Sequence, residues 1–261
     1  MNALDEVFTR CREENRAALM AYLPAGYPDL ETSLEAVRVV ARAGADIVEV
    51  GVPYTDPLMD GPVIEQAATR ALANGFSFRQ VLDVVGAVRD AGAVPVVMSY
   101  WNPVLRYGPG RFAADLAQAG GAGLITPDLI PDEAQEWRAA ADEHGVASIF
   151  LVAPSSTDER LAMTARASRG FVYVASTMGV TGAREQVGEG ARTLVERTRA
   201  VSELPLCVGL GVSTGAQAAQ IAAYADGVIV GSALVRAIGA DPTLESLREV
   251  THELAQGVRG R

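Results

Sequence analysis

Eight short apolar runs recur along the chain, at residues 19–23, 47–50, 95–98, 123–125, 148–152, 171–174, 206–208 and 227–230. They are nearly continuous rather than alternating, the pattern of parallel strands covered on both faces. Between them lie stretches of helical periodicity at 30–43, 78–90, 111–119, 131–143, 158–167, 191–202, 216–224 and 244–256. Several of these close on a glycine just before the next apolar run, as in ARAGAD, RDAGAV and DEHGVA. Glycine accepts the left-handed conformation that ends a helix. Eight strands alternating with eight helices predict a single (β/α)8 barrel over residues 1–261, with an extra N-terminal helix and additional short helices. The runner-up is a doubly wound sheet. Its first strand–helix turn should carry G-x-G-x-x-G, whereas that turn here reads PAGYPDLETS. No linker or shift in composition divides the chain, so one domain is expected.

Two connections are too long for simple turns. One is 51–62, GVPYTDPLMDGP, followed by a further helical segment at 63–73; the other is 175–190, ASTMGVTGAREQVGEG. Long loops in compact domains are usually functional, and in a barrel both would project from the C-terminal face where active sites are built.

Composition narrows the chemistry. Of 261 residues 49% are hydrophobic, and the formal net charge of −10 comes without a basic cluster, which argues against nucleic-acid binding. No apolar run reaches the roughly 18 residues of a membrane span. The opening MNALDEVFTRCREENR is charged and amphipathic, without the apolar core of a signal peptide. A soluble, cytoplasmic protein is expected. All 22 basic side chains are arginine. Without lysine there is no internal Schiff base, no lysine-held pyridoxal phosphate and no Walker-type loop. His144, His252, Cys11 and Cys207 are scattered, so no metal site is expected, and the two cysteines read as inert thiols rather than a disulfide. Catalysis must rest on carboxylates, hydroxyls and backbone donors.

Glu49 stands inside an apolar strand between Val48 and Val50. An ionisable group there costs free energy unless it is paired, hydrogen-bonded or neutral. It is either a structural ion pair with one of the arginines or, near the carboxyl end of a barrel strand, an acid/base with a raised pKa. The following loop supplies Asp56 and Asp60. Asp60 reads equally as a turn or capping residue and as a second active-site carboxylate. Asp128, in TPDLIPDEA, reads as a loop residue. GLGVS (209–213) and VGSALV (230–235) follow the last two strands and open helices, the recurrent place for a barrel phosphate site. Thr181 and Gly182 in the sixth loop are placed to close over the same anion. Tyr22, Met98, Tyr100, Ile125, Leu151 and Tyr173, near strand ends, are either core or the walls of a flat apolar pocket.

VEVGVPYTDPLMDGPVIE (48–65), MGVTGAR (178–184), GLGVS and VGSALV occur in the order and spacing of the tryptophan synthase α subunits, and the chain resembles that family over essentially its whole length. The resemblance implies a lyase that cleaves indole-3-glycerol phosphate to indole and glyceraldehyde 3-phosphate. It implies a pyridoxal-phosphate β subunit as partner in an αββα complex, with no cofactor on this chain. It further implies Glu49 as general acid/base, Asp60 as the carboxylate facing the indole N–H, and Tyr173 beside them. Gly182, Gly211, Gly231 and Ser232 would bind phosphate, and Thr181 would belong to the lid. Tyr22, Met98, Tyr100, Ile125, Pro127 and Leu151 would wall the indole pocket, and Asp56 would lie in the loop that communicates with the partner. The chain departs from the family at Thr177, where some members carry arginine, and in its LPAGYPD first loop.

The reading from residues fits that reaction. A retro-aldol cleavage usually draws on a lysine imine or a divalent metal. An indole protonated at C3 serves as its own electron sink, and a carboxylate can stabilise the resulting cation. Three alternatives stay open: an isomerase or epimerase of another sugar phosphate, a regulatory subunit that binds phosphate ligand without turnover, and a lyase that works without a partner.

Overall fold

The protein is described here by a computed structural model covering residues 2–175, 189–209 and 211–260. Its strands form one all-parallel sheet. In chain order they are β1 (Ala18–Pro24), β2 (Ile47–Gly51), β3 (Val94–Met98), β4 (Gly123–Ile125), β5 (Ala147–Ile149), β6 (Leu151–Val152), β7 (Val172–Ala175), β8 (Leu206–Gly209) and β9 (Gly227–Val230). The lateral order β5-β4-β3-β2-β1-β9-β8-β7-β6 puts two strands separated by one residue at opposite ends of the sheet. The sheet therefore curls into the expected barrel.

The fifth apolar run departs from expectation by dividing at Phe150 into two strands. Up to Ile149 the chain pairs with β4, and from Leu151 it pairs with β7. Phe150 is where it changes neighbours, its carbonyl accepting from the Tyr173 N–H at 3.1 Å. The other runs hold, with bounds shifted by at most one residue at an end.

Alternation along each strand builds two cores. Leu19, Val48, Val50, Val97, Leu124 and Val208 face outward into a large apolar layer shared with the helices. Met20, Ile47, Val96, Ile125, Ile149 and Cys207 face the lumen. Glu49, between two outward valines, therefore points into the lumen.

Helix α1 (Ala3–Glu13) closes the floor of the barrel. Its buried residues Leu4, Val7, Phe8 and Cys11 follow helical spacing and join the lumen cluster. Phe8 meets Phe171 edge-on at 6.0 Å. A capping box formed by Asn2 and Asp5 starts the helix, and the Asn2 amide also donates to the carbonyls of Ala122 and Gly145, both at 3.0 Å.

The remaining helices include α2 (Leu30–Ala43), α3 (Pro62–Ala73), α4 (Gln80–Asp90), α5 (Trp101–Tyr107), α6 (Pro109–Ala119), α7 (Gln135–His144), α8 (Asp158–Ala167), α9 (Glu189–Arg199), α10 (Gly215–Ala222), α11 (Ser232–Ala240) and α12 (Glu245–Gly257). Gly44 and Gly145 end α2 and α7 in the left-handed conformation, as ARAGAD and DEHGVA predict. The periodicity missed α5, and placed the start of α7 four residues early. Among the described residues no helix is long and apolar enough to cross a membrane.

Candidate active site

Glu49 is completely buried, and neither carboxylate oxygen has a hydrogen-bond partner among the described residues. Among the described residues no arginine pairs with it. Burial alone pushes its pKa up to about 8. In the strand register Tyr22 lies opposite it on one side and Val96 on the other.

Two lumen tyrosines lie over glycines of the neighbouring strand. A Cβ on Gly51 would overlap the Tyr22 ring, and one on Gly209 would overlap Tyr173. Each ring occupies the space a side chain would have taken. The Tyr22 and Tyr173 hydroxyls are held well above their ordinary pKa, first by burial and then by carboxylates. Asp60 and Glu49 both act on Tyr22, and Glu49 acts on Tyr173. Both tyrosines are thus neutral groups gathered around Glu49.

The long loop after β2 folds back over this end of the barrel, held by Tyr100. The Tyr100 hydroxyl accepts from the amides of Leu58 (3.1 Å) and Met59 (3.0 Å) and donates to Asp60 Oδ1 at 3.0 Å. The Tyr54 ring packs on Tyr100 at 5.4 Å. Asp60 has its pKa raised by burial, while the Tyr100 hydrogen bond pulls it back and Glu65 pushes it further up. Sequence reasoning placed Tyr100 only in a pocket wall. Its tethering of the Asp60 loop depends on contacts about 40 residues apart. Asp128 is the loop residue expected, and it does a specific job: its carboxylate accepts from the Trp101 amide at 2.9 and 3.1 Å, capping α5 from across the rim.

The two glycine loops differ. Helix α10 is capped by its own neighbours: Thr214 accepts from the Gln217 amide at 3.2 Å, and Gln217 accepts from the Ser213 amide at 2.8 Å. Helix α11 begins at Gly231 without a side-chain cap, and Ser232 in its first turn is buried. Among the described residues no side chain caps this first turn, the condition under which helix-start amides suit an anion. Gly211, with φ +29°, turns the chain in the adjoining loop. The expectations placed on Thr177, Thr181 and Gly182 fall outside the described residues.

Met98 and Ile125 pack with the lumen cluster, as does Leu151, which pairs in register with Tyr173. Pro127 and Leu151 also line a neighbouring recess together with Thr126, a residue sequence reasoning passed over. Asp56 is exposed on the rim loop beside Leu58. Cys11 and Cys207 are buried free thiols, as predicted.

A parallel (β/α)8 barrel with, among the described residues, an unpaired buried carboxyl in its lumen, a second carboxylate tethered above it and a helix without a side-chain cap after its last strand has the architecture of a barrel enzyme. The family model for the tryptophan synthase alpha chain matches residues 8–259. The chain is 62% identical to the tryptophan synthase alpha chain of Mycobacterium marinum over 258 residues, covering 99% of this chain and 95% of that one. It superposes on a chain of the Mycobacterium tuberculosis tryptophan synthase structure with a TM-score of 0.95 and 61% identity, covering 98% of each. On tryptophan synthase subunit alpha of Legionella pneumophila the TM-score is 0.90 at 32% identity, with full coverage of both. The chain belongs to the tryptophan synthase alpha chain family. Its family activity is that of a lyase cleaving indole-3-glycerol phosphate in tryptophan biosynthesis, and the family's pyridoxal phosphate resides on the β partner.

Proposed function

We propose that residues 1–261 act as one barrel domain whose lumen performs this cleavage, with Glu49 moving the protons and Asp60 holding the charge. The observation that carries the assignment is the fully buried, unpartnered carboxyl of Glu49. With its pKa at about 8, Glu49 is mostly protonated at neutral pH and enters the reaction as an acid. It gives its proton to indole C3, which leaves positive charge at the ring nitrogen. Asp60, whose carboxylate form is favoured by the Tyr100 hydrogen bond, stabilises that cation. The Glu49 carboxylate then accepts the proton of the hydroxyl on the adjacent side-chain carbon. As that carbonyl forms, the carbon–carbon bond breaks and its electron pair returns to the ring. Indole and the aldehyde phosphate are produced, and Glu49 is protonated again.

Tyr22, Met98, Tyr100, Ile125, Pro127, Leu151 and Tyr173 are the proposed walls of the ring site. Gly182, Gly211, Gly231 and Ser232 are the proposed phosphate contacts, with Thr181 in the lid. Binding energy at the phosphate, remote from the broken bond, positions the substrate. The rim supports a docking face: Leu58 (70% exposed) on the β2–α3 connection, Leu105 (49%) in α5 and Ile130 (44%) on the β4–α7 connection, with Asp56 beside Leu58. This is the proposed contact with a pyridoxal-phosphate β subunit in an αββα assembly, and a biosynthetic enzyme of this family is expected in the cytoplasm.

Release of indole from indole-3-glycerol phosphate, followed spectroscopically with and without the β subunit, tests the reading. Release is expected in both cases and faster with the partner, and glycerol phosphate should compete. No indole under either condition would overturn it.

A further inference from the structure

Beside the lumen, on the other side of Leu151 and Pro127, lies a recess of about 290 Å³ between the ends of β4 and β6 and the start of α8. That is the small end of the range for ligand sites, suited to a single fused ring system. Its walls join apolar side chains, among them Leu129, Pro131, Phe150 and Leu151, to the hydroxyl side chains of Thr126, Thr164 and, toward the exposed lip, Ser155 and Thr157. One polar atom stands out among them. The Thr126 hydroxyl oxygen is buried without a hydrogen-bond partner among the described residues, in a side chain only 2% exposed. A hydroxyl in that position is costly unless something pairs with it, and it offers one donor and two acceptor lone pairs.

Charge decides what kind of molecule fits. Arg160 at the rim is already paired with Asp132 at 3.0 Å, and Asp158 in the first turn of α8 with Arg197 at 2.7 Å. Glu159, also in that first turn, opposes an anion. With no surplus positive charge, neither a phosphate nor a carboxylate is favoured over water. The buried inner end, between Leu129, Pro131, Phe150 and Thr126, complements a neutral flat ring with a hydrogen-bonding group for Thr126, and the hydroxyls of the exposed lip stay with water.

We propose that this recess is a second ring site that takes free indole, its N–H donated to Thr126 Oγ1 and its faces against Leu151 and Phe150. The inference rests on the proposal that indole is this chain's product. Leu151 also packs on the lumen cluster, so one side chain separates the two sites. A product held there would occupy the chain without blocking the lumen.

The test is binding of indole to the full-length chain by equilibrium dialysis, with the lumen saturated by a non-cleavable indole-alkyl phosphate. About one equivalent of indole should still bind. Thr126→Val, a near-isostere, should weaken it about tenfold, the worth of one hydrogen bond. Ser155→Trp, at the exposed lip, should abolish it. Both variants should keep the wild-type rate of indole release at low indole. Indole wholly displaced by the phosphate analogue, or bound equally by Thr126→Val, would overturn the second site. No turnover enters the binding measurement, so a failed cleavage assay and a failed second site give separate results.

Discussion

Asp46 and Glu49 stand three residues apart on one strand and its approach, both carboxylates and both buried, and they are treated in opposite ways. Asp46, at the floor end, is saturated. Arg16 grips it with two hydrogen bonds of 2.7 and 2.8 Å, Arg10 adds one at 3.2 Å, and the Leu19 amide adds another at 3.0 Å. Arg16, itself buried, has its pKa raised by that bond and by Glu14. Glu49, further along toward the rim, has no hydrogen-bond partner among the described residues. A charge that holds structure is surrounded by partners, because an unpaired ion in that setting is too costly. A group that must exchange a proton is left unpaired and is neutral at rest. On the proposed mechanism the two ends of one strand divide stability from chemistry, as expected for the two faces of a barrel.

The comparison breaks most visibly at the floor. Asp46→Asn should leave Arg16 with only the exposed Glu14 as a carboxylate partner and cost ~3–5 kcal/mol in urea unfolding. A loss within error of zero would show that Asp46 does not hold the floor. At the other end Glu49→Gln should unfold at the wild-type urea concentration or above it. Its indole release should fall at least ~10²-fold, the worth of a general acid/base. Near-normal turnover would remove Glu49 from the reaction.

The pH dependence sharpens the contrast. The carboxyl of Glu49 titrates at about 8 in the folded chain against 4.5 unexposed to such burial. Between those values the folded state binds the extra proton. Its contribution to stability is fully present below pH 4.5 and is lost as pH rises through 8. Wild-type stability should therefore decline over that window more steeply than that of Glu49→Gln; parallel curves would mean the carboxyl is ionised or solvated. The smallest effect is expected at the tether. Tyr100→Phe deletes the hydrogen bond that lowers the pKa of Asp60. It should reduce kcat/KM by about tenfold and move the acid limb of its pH profile upward. A simple drop in rate with an unmoved profile would make Tyr100 a packing residue.

The amino-acid pattern already contains most of this architecture, because both-face burial leaves continuous apolar runs and the runs were correctly placed. It does not contain the break at Phe150. The side chains stay apolar there while the backbone changes pairing partner, an event with no compositional trace. Glu49 was legible because a lone acid among valines is anomalous. The contrast with Asp46 was not: the chain has 22 arginines, and only the fold says that Arg16, 30 residues away, is the partner. Helix α5 escaped notice for a related reason, since its cap comes from Asp128, 27 positions downstream. Thr126 carries no signal at all in the sequence; its interest lies in what does not surround it.

The seating of Tyr22 on Gly51 has a consequence for anyone reshaping this lumen. The ring of one strand fills the space vacated on the next, so positions 22 and 51 behave as a single variable. A larger residue at 51 is tolerable only alongside a smaller one at 22, and substitutions scored one at a time will misjudge both.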